Sequence, residues 1–196
     1  VSYYYINRDI IRVLADFQGN ITPHLLWAGG ISYWNFRMGD INEGKYGYDA
    51  KSTLYNHYKQ YGVIRDSEAK GGNRLELKAG LVYDSRDFET APNKGIWSEI
   101  YVNGSPDVFG DGFNYLKLSA HFRHYVRIPF GLKVGDPVFA YHLAYQGTVA
   151  GKAPFYIQQN VTALILKQMM SEGLGSSNTL RGTHANRLIG DGYAWG

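Results

Sequence analysis

Ten residues near the end of the chain, NTLRGTHANR at positions 178–187, place an Arg-Gly pair among polar or small residues. A guanidinium carries five donors in a rigid fork, so it is well suited to hold a loop against carboxylates in a partly dehydrated space. Gly182 allows the backbone beside Arg181 to turn tightly or to approach a wall closely. Arg181 is therefore a candidate for holding this loop in place, and a solvated surface arginine is the alternative.

Motifs of covalent chemistry are missing from the sequence. It contains no G-x-S-x-G elbow, no phosphate-binding loop, no H-E-x-x-H pair, no dinucleotide fingerprint and no Cys. His121 and His124 fall on opposite faces of one predicted strand, so they cannot hold a metal together. Asp107 and Asp111 lack the spacing of an EF-hand loop. We therefore expect neither enzyme activity, nor a cofactor, nor a metal site.

Charge and hydropathy argue against two further classes of protein. The formal net charge of the 196 residues is +3, and charges of both signs are spread along the chain. There is thus no basic stripe to follow a nucleic acid, and we expect no nucleic-acid partner. No apolar run approaches the roughly 18 residues that a membrane-spanning helix requires.

Composition and periodicity predict a β protein. The chain has 17 Tyr, 9 Phe, 4 Trp and 24 Gly, which is typical of many strands joined by turns. In FNYLKLSAHFRHYVRI, residues 113–128, apolar side chains alternate with polar ones that include Lys117, Arg123 and Arg127. This stretch is much longer than the usual soluble strand of about 5 or 6 residues, and closer to a tilted strand that crosses a bilayer.

The same alternation recurs in four other segments. It is clear in RLELKAGLVYD and VFAYHLAYQ, and weaker in IIRVLADFQ and GIWSEIYV. It places Glu76 and Glu99 on the polar face with the three basic residues above. The segment LLWAGGISYWNF is apolar on both faces, so its orientation stays open.

The connections between these segments alternate in length. GNITP, FETAPNKG and FGLKVGD are short, whereas residues 38–73, GSPDVFGDG and residues 158–187 are mostly longer, polar or glycine-rich. Short turns at one end and long loops at the other are typical of outer-membrane barrels. Aromatic residues near predicted strand ends favour interfacial girdles; they are Tyr3, Tyr4, Tyr5, Trp27, Trp34, Tyr83, Trp97 and Tyr101. A soluble β-sandwich or lipocalin-like barrel remains the alternative, because alternation does not distinguish inside from outside.

A charged hairpin lies between two of the predicted strands, in LVYDSRDFETAPNKGIWSEIYVNG. Pro92 cannot continue a ladder and Gly95 permits a turn, while Asp84, Arg86 and Asp87 can pair among themselves where a strand meets a rim. The segment resembles the yDtRD…P-x-(R/K)-G hairpin of the BamA/TamA superfamily of outer-membrane assembly and secretion barrels, also called the bacterial surface antigen family.

A second match follows in the family's order. Leu180, Arg181 and Gly182, followed by RLIGDGYAWG, resemble the (V/L)-R-G-(F/Y) motif of the family's sixth extracellular loop, and APFYIQQ resembles its lead-in. The resemblance implies that this loop folds back into the barrel lumen and that Arg181 pairs with acidic or polar groups of the inner wall. Thr183 stands where the family has an aromatic residue, which removes a stacking group.

The resemblance implies an all-β fold, an antiparallel transmembrane β-barrel on a sixteen-stranded plan. Residues 1–196 would be a single segment of six or seven of those strands, without a POTRA or other soluble domain. The implied protein lies in the bacterial outer membrane and inserts or translocates outer-membrane or secreted proteins without covalent chemistry. Its partners would be the lipid bilayer, its substrate proteins and accessory envelope proteins. The alternatives are a structural or pore-forming subunit of an envelope complex and a soluble β-domain that binds sugar or lipid.

Overall fold

The main element of the fold is a seven-stranded antiparallel sheet. The computed structural model describes residues 2–43, 52–131, 135–158, 160–162, 165, 170–171, 173–175, 179–180, 182–183 and 188–196. The strand order in the sheet is β1-β2-β3-β4-β5-β6-β9, so sequential neighbours pair from β1 to β6. A separate ladder joins β7 to β8. The strands are β1 (Asn7–Thr22), β2 (Leu25–Gly39), β3 (Gly71–Asp84), β4 (Gly95–Ser105), β5 (Tyr115–Arg127), β6 (Val138–Gly151), β7 (Val161–Thr162), β8 (Met170–Ser171) and β9 (Gly192–Trp195).

Short helices lie in the connections. The α-helices are α1 (Leu54–Gln60), α2 (Asp66–Ala69) and α3 (Phe155–Gln158), and 3-10 turns occupy Ser2–Tyr4 and Ile41–Glu43. In the described ranges, none of the helices has both the length and the apolar character needed to cross a membrane.

The two faces of the sheet differ sharply. One of them, the covered face, carries α3 and the residues that follow it, together with most of the charged side chains of the strands. The other, the open face, displays exposed apolar side chains, among them Ile11, Val13, Phe17, Ile31, Leu77, Leu81, Ile100, Val102, Leu116, Phe139 and Leu143. The register of pairing places these residues on one side, which confirms the alternation predicted for β1, β3, β4, β5 and β6.

The core lies on the covered face, between the sheet and the short helices. Trp34 and Phe36 of β2 stack at 5.4 Å between ring centroids, and Tyr156 of α3 lies 4.8 Å from Phe36. A second cluster joins β2, β3 and β4 around Ile165. This packing explains why LLWAGGISYWNF is apolar on both faces, because its covered side meets α3 and its other side belongs to the open face.

Three aromatic residues predicted for an interfacial girdle lie instead in this core. Trp34, Trp97 and Tyr101 face the covered side and are 3%, 6% and 1% exposed. That prediction was wrong because position near a strand end does not define the face. Trp27 and Tyr83 do lie on the open face and are each 43% exposed.

The connections are sorted between the two ends of the sheet. The short-turn rim carries the turns β1–β2, β3–β4 and β5–β6, and the long-loop rim carries the connections β2–β3, β4–β5 and β6–β9. The predicted asymmetry holds for the β2–β3 and β6–β9 connections, residues 40–70 and 152–191, but the β4–β5 loop, residues 106–114, is no longer than the turns at residues 85–94 and 128–137. Among the described residues β1 pairs only with β2, and β9 pairs only with Ala144–Gly147 of β6. The all-β class is therefore established, while closure into a barrel stays a prediction.

Candidate functional site

A buried arginine connects three parts of the chain on the covered face. The side chain of Arg74, on β3, is 0% exposed. Its Nε donates to the Tyr156 hydroxyl over 3.2 Å, and its Nη1 donates to Asp111 Oδ1 over 2.9 Å. Its Nη2 also pairs with Asp111 Oδ2, and its guanidinium lies 5.4 Å from the ring centroid of Phe113. Arg74 thereby fixes α3 and the β4–β5 loop to the sheet.

The surroundings of Arg74 are matched to its charge and size. Burial alone would raise the pKa of Asp111, but the hydrogen bonds and charge of Arg74 outweigh burial and hold that pKa below its usual range. Burial raises the pKa of Tyr156, so its hydroxyl stays protonated at neutral pH. A Cβ at Gly72 would lie 2.7 Å from the Tyr156 hydroxyl oxygen, so only glycine leaves room for this contact.

The described residues 153–158, 160–162 and 165, which we call the inner segment, are held along the covered face by backbone contacts as well. Lys117 Nζ donates to the carbonyl oxygens of Ile157 and Asn160 over 3.2 Å and 3.1 Å. Gln146 Nε2 donates to the same Asn160 oxygen over 2.7 Å. Because Lys117 is 6% exposed, these carbonyl groups take the place of water around its charge.

Two buried carboxylates hold backbone amides of the same segment. Glu99 Oε2 accepts the Ile165 N–H over 3.1 Å, and Glu68 Oε2 accepts the Phe155 N–H over 2.7 Å. On the other side of Glu99, His121 Nε2 lies 3.9 Å from Oε1. Carboxylates and a lysine on β4, β5 and α2 thus bind the main chain of the inner segment, an arrangement that depends little on its side-chain sequence.

The charged hairpin at the short-turn rim is a structured turn. Arg86 donates from Nε and Nη2 to the two oxygens of Asp84 over 2.9 Å and 2.8 Å, and its guanidinium lies 4.1 Å from the ring centroid of Trp97. The bond to Asp84 raises the pKa of Arg86. Asp87 instead accepts backbone N–H groups of the turn, and Gly95 has a φ of 111°.

The predicted site residues occupy three places. Glu76, Glu99, Lys117 and Arg123 lie on the covered face, and Glu76 Oε1 accepts the Tyr115 hydroxyl over 2.5 Å. The side chain of Arg127 is 56% exposed at the end of β5 and lies 3.4 Å from Asp136. Asp84, Arg86, Asp87, Pro92 and Gly95 form the rim hairpin.

The predicted loop motif of Leu180, Arg181 and Gly182 is only partly described. Leu180 packs against a cluster of Ala144, Leu174 and Trp195, and Gly182 has a φ of 85°. Arg181 lies outside the described residues, so its partner stays a prediction.

Sequence reasoning missed the residues that anchor the inner segment. Arg74 is the first charged residue of RLELKAG on the polar side of the alternation, and Tyr156 belongs to APFYIQQ. Tyr156 and Asp111 are 82 and 37 positions away from Arg74, and no periodicity connects them. The available signal was an arginine on the polar face of a strand beside two small residues, Gly71 and Gly72.

No protein-family model, no curated protein and no solved structure matches this chain. Within the described ranges, no group of three or more His, Cys, Asp or Glu residues is arranged to hold a metal ion. The two faces of the sheet, the inner segment and the motif resemblance are therefore the features that bear on the function of the chain.

Acidification is expected to weaken the bond between Asp111 and Arg74. Because the pKa of Asp111 is lower in the folded chain, its ionised form stabilises the fold above the unfolded value of about 3.9. This contribution is lost as the pH falls through the lowered folded value. We expect Asp111→Asn to lower the urea midpoint at pH 7 and to change it much less near pH 2.5. The control is Asp9→Asn, at an exposed position, which should leave the urea midpoint unchanged at both pH values. If Asp111→Asn lowered the midpoint equally at pH 7 and near pH 2.5, the prediction would be contradicted.

Proposed function

We propose that the chain is a segment of an outer-membrane β-barrel of the BamA/TamA type, which inserts or translocates other outer-membrane or secreted proteins. The observation that carries the membrane part of this proposal is the open face. Residues such as Phe17, Ile31, Leu81, Ile100 and Leu143 are 43% to 66% exposed there, on five different strands. Contiguous apolar surface of this extent marks an interaction with lipid or with another protein.

Strand length supports lipid as the environment of this face. The six long strands contain 11 to 16 residues. A transmembrane β-strand requires about 9–11 residues when it is tilted by about 45°. Each of these strands is therefore long enough to cross the apolar layer, and the longer ones extend beyond it. The two longest connections, residues 40–70 and 152–191, lie at the same rim, which agrees with an extracellular end.

The inner segment supports the type of barrel that the resemblance implies. It follows β6, the place of the family's inward-folding loop, and it packs on the charged face that would line a lumen. We propose that Arg181 adds to the anchors formed by Arg74 and Lys117. An interior filled in this way favours an assembly or secretion barrel over an open passive pore.

The proposed activity involves no covalent step. By resemblance, a weak seam between the first and last strands of the whole barrel opens sideways, and its exposed edge templates strands of a substrate protein. In that arrangement the present chain supplies a wall and an inner segment that hold the barrel's shape. A structural or pore-forming subunit is the second candidate, and POTRA repeats in the full-length protein would favour assembly or secretion.

A charge placed on the open face tests the membrane environment. Ile100 lies in the middle of β4 and is 50% exposed, whereas Ile128 follows β5 at the short-turn rim and is 37% exposed. In lipid, Ile100→Arg is expected to make folding into vesicles less favourable by about 2 kcal/mol, and Ile128→Arg by at most about 1 kcal/mol. In water, either substitution would change stability by only about 0.5 kcal/mol.

The measurement is urea-dependent folding of the full-length protein that contains the chain, in phosphatidylcholine vesicles, followed by the gel shift between unheated and heated samples. A larger loss for Ile100→Arg than for Ile128→Arg supports the proposal. Equal and small effects, with a full-length protein that stays monodisperse without detergent or lipid, would contradict it.

A further inference from the structure

A shallow groove interrupts the open face close to the long-loop rim. Its floor runs across four strands at one level, because Leu77, Gly104, Leu116 and Ala150 are successive partners in the register of β3, β4, β5 and β6. Its volume is about 510 Å³. Gly104 contributes no side chain, and a Cβ at that position would lie 3.4 Å from Leu116 Cδ1. The groove is thus open because Gly104 lies between two leucines and the next position, Ala150, is also small.

A polar cleft of about 210 Å³ adjoins the groove at Gly151, which lines both. Gly151 has a φ of 73°, and a Cβ there would lie 2.2 Å from the Asn114 carbonyl oxygen, so this junction requires glycine. The cleft lies between α2, the end of β6 and the start of the inner segment. The apolar groove and the polar cleft therefore meet at Gly151, where no side chain separates them.

Two cationic side chains of the cleft are available to bind an anion. Arg65 and Lys152 line it, are exposed, and make no ion pair within the part of the chain that the structure describes. Glu68 also lines it, but its two oxygens accept the N–H groups of Arg65 and Phe155. Asp191 accepts from Gln158 through one oxygen. Donors within the chain thus occupy both oxygens of Glu68 and one oxygen of Asp191.

One further polar atom of the cleft lacks a partner. Thr148 Oγ1 is buried and makes no hydrogen bond with any residue that the structure describes, although Thr148 lines the cleft. A buried hydroxyl without a partner is costly, and an acceptor bound in the cleft would satisfy it.

We propose that the groove and the cleft together bind an anionic amphiphile, a lipid with acyl chains and a phosphate headgroup. The acyl chain lies in the groove across Gly104, and the phosphate lies in the cleft between Arg65 and Lys152, within reach of Thr148. Basic pockets at the edge of an apolar surface are how membrane proteins recognise such headgroups. The inference rests on the proposed membrane location of the open face, and it assigns a specific lipid contact on the long-loop side.

The test compares lipid retention by the full-length protein and its variants. The full-length protein that contains the chain is folded into vesicles of equal parts phosphatidylglycerol and phosphatidylcholine and extracted in mild detergent, and the co-purified lipid is measured by native mass spectrometry. We expect the wild type to retain phosphatidylglycerol several-fold over phosphatidylcholine. The double substitution Arg65→Gln with Lys152→Gln should remove this preference, and Gly104→Val should reduce retention of both lipids.

Lys70→Gln is the matched control, because Lys70 is an exposed lysine next to β3 at the same rim and lines neither cavity. It should keep the wild-type preference. If the full-length protein folds into the vesicles but the double variant retains phosphatidylglycerol as the wild type does, the lipid site is overturned and the membrane proposal is not. If the full-length protein does not enter vesicles of any composition, both are overturned.

Discussion

Replacement of Arg74 by methionine is expected to lower the free energy of unfolding by about 3 kcal/mol, because it removes the fully buried partner of a charge pair and the donors to Tyr156. Asp111 would keep its negative charge next to an apolar side chain, and the Tyr156 hydroxyl would lose two donors. The inner segment should then detach from β3. Urea titration in detergent micelles measures the loss, and limited proteolysis near residues 153–165 measures the detachment.

Arg37→Met provides the control for Arg74, since Arg37 is an exposed arginine on neighbouring β2 and lies on the open face. It should change stability by at most about 0.5 kcal/mol. Tyr156→Phe should cost about 1 kcal/mol, because one hydrogen-bonding group is lost while the ring still packs on Phe36. Equal effects of Arg74→Met and Arg37→Met would show that Arg74 does not anchor the inner segment.

Replacement of Gly80 by valine is expected to have a comparable effect, about 3 kcal/mol, through overpacking. A Cβ at Gly80 would lie 2.3 Å from Tyr101 Cβ, 2.6 Å from the Ile100 carbonyl oxygen and 2.7 Å from Ile165 Cδ1. The backbone oxygen belongs to the neighbouring strand and cannot move without disturbing the ladder. The substitution should therefore displace Ile165 and weaken the pairing of β3 with β4.

Gly29→Val is the matched change for Gly80→Val. Gly29 lies on the open face of β2, and a Cβ there would meet only the Lys78 carbonyl oxygen, at 3.4 Å. Its effect should stay below about 1 kcal/mol in the same urea titration, since valine is favoured in strands. If both glycines tolerate valine equally, the close packing of Tyr101 and Ile165 over Gly80 does not contribute to stability.

The faces of the strands could be predicted from the sequence because alternation is a local property. On β5, Leu116, Leu118 and Phe122 fall on one side and Lys117 and Arg123 on the other, as the register requires. The connection lengths identified only residues 40–70 and 152–191 as long loops, because residues 106–114 form a loop no longer than the turns at residues 85–94 and 128–137. On β2 the reasoning from alternation failed, because the covered side of this strand is apolar where α3 packs on it.

The anchors of the inner segment could not be predicted because they join distant positions through the main chain. Lys117 and Glu99 were expected on a polar wall, but their partners are the backbone of Ile157, Asn160 and Ile165. Every residue carries such groups, so no side-chain pattern identifies them. The Arg74 contacts likewise depend on how a loop and a short helix return to the sheet.

The order of strands in the sheet has a consequence for the route by which the chain folds. From β1 to β6 each strand pairs with its neighbour in sequence, so successive hairpins can form, with residues 40–70 as the longest connection among them. β9 instead reaches β6 only after residues 152–191 have turned back. If the inner segment is already bound to Arg74 and Lys117, the span still to be closed is shorter and its entropic cost falls. We therefore expect the inner segment to dock before β9 pairs, so that the last strand joins an interior that is already filled.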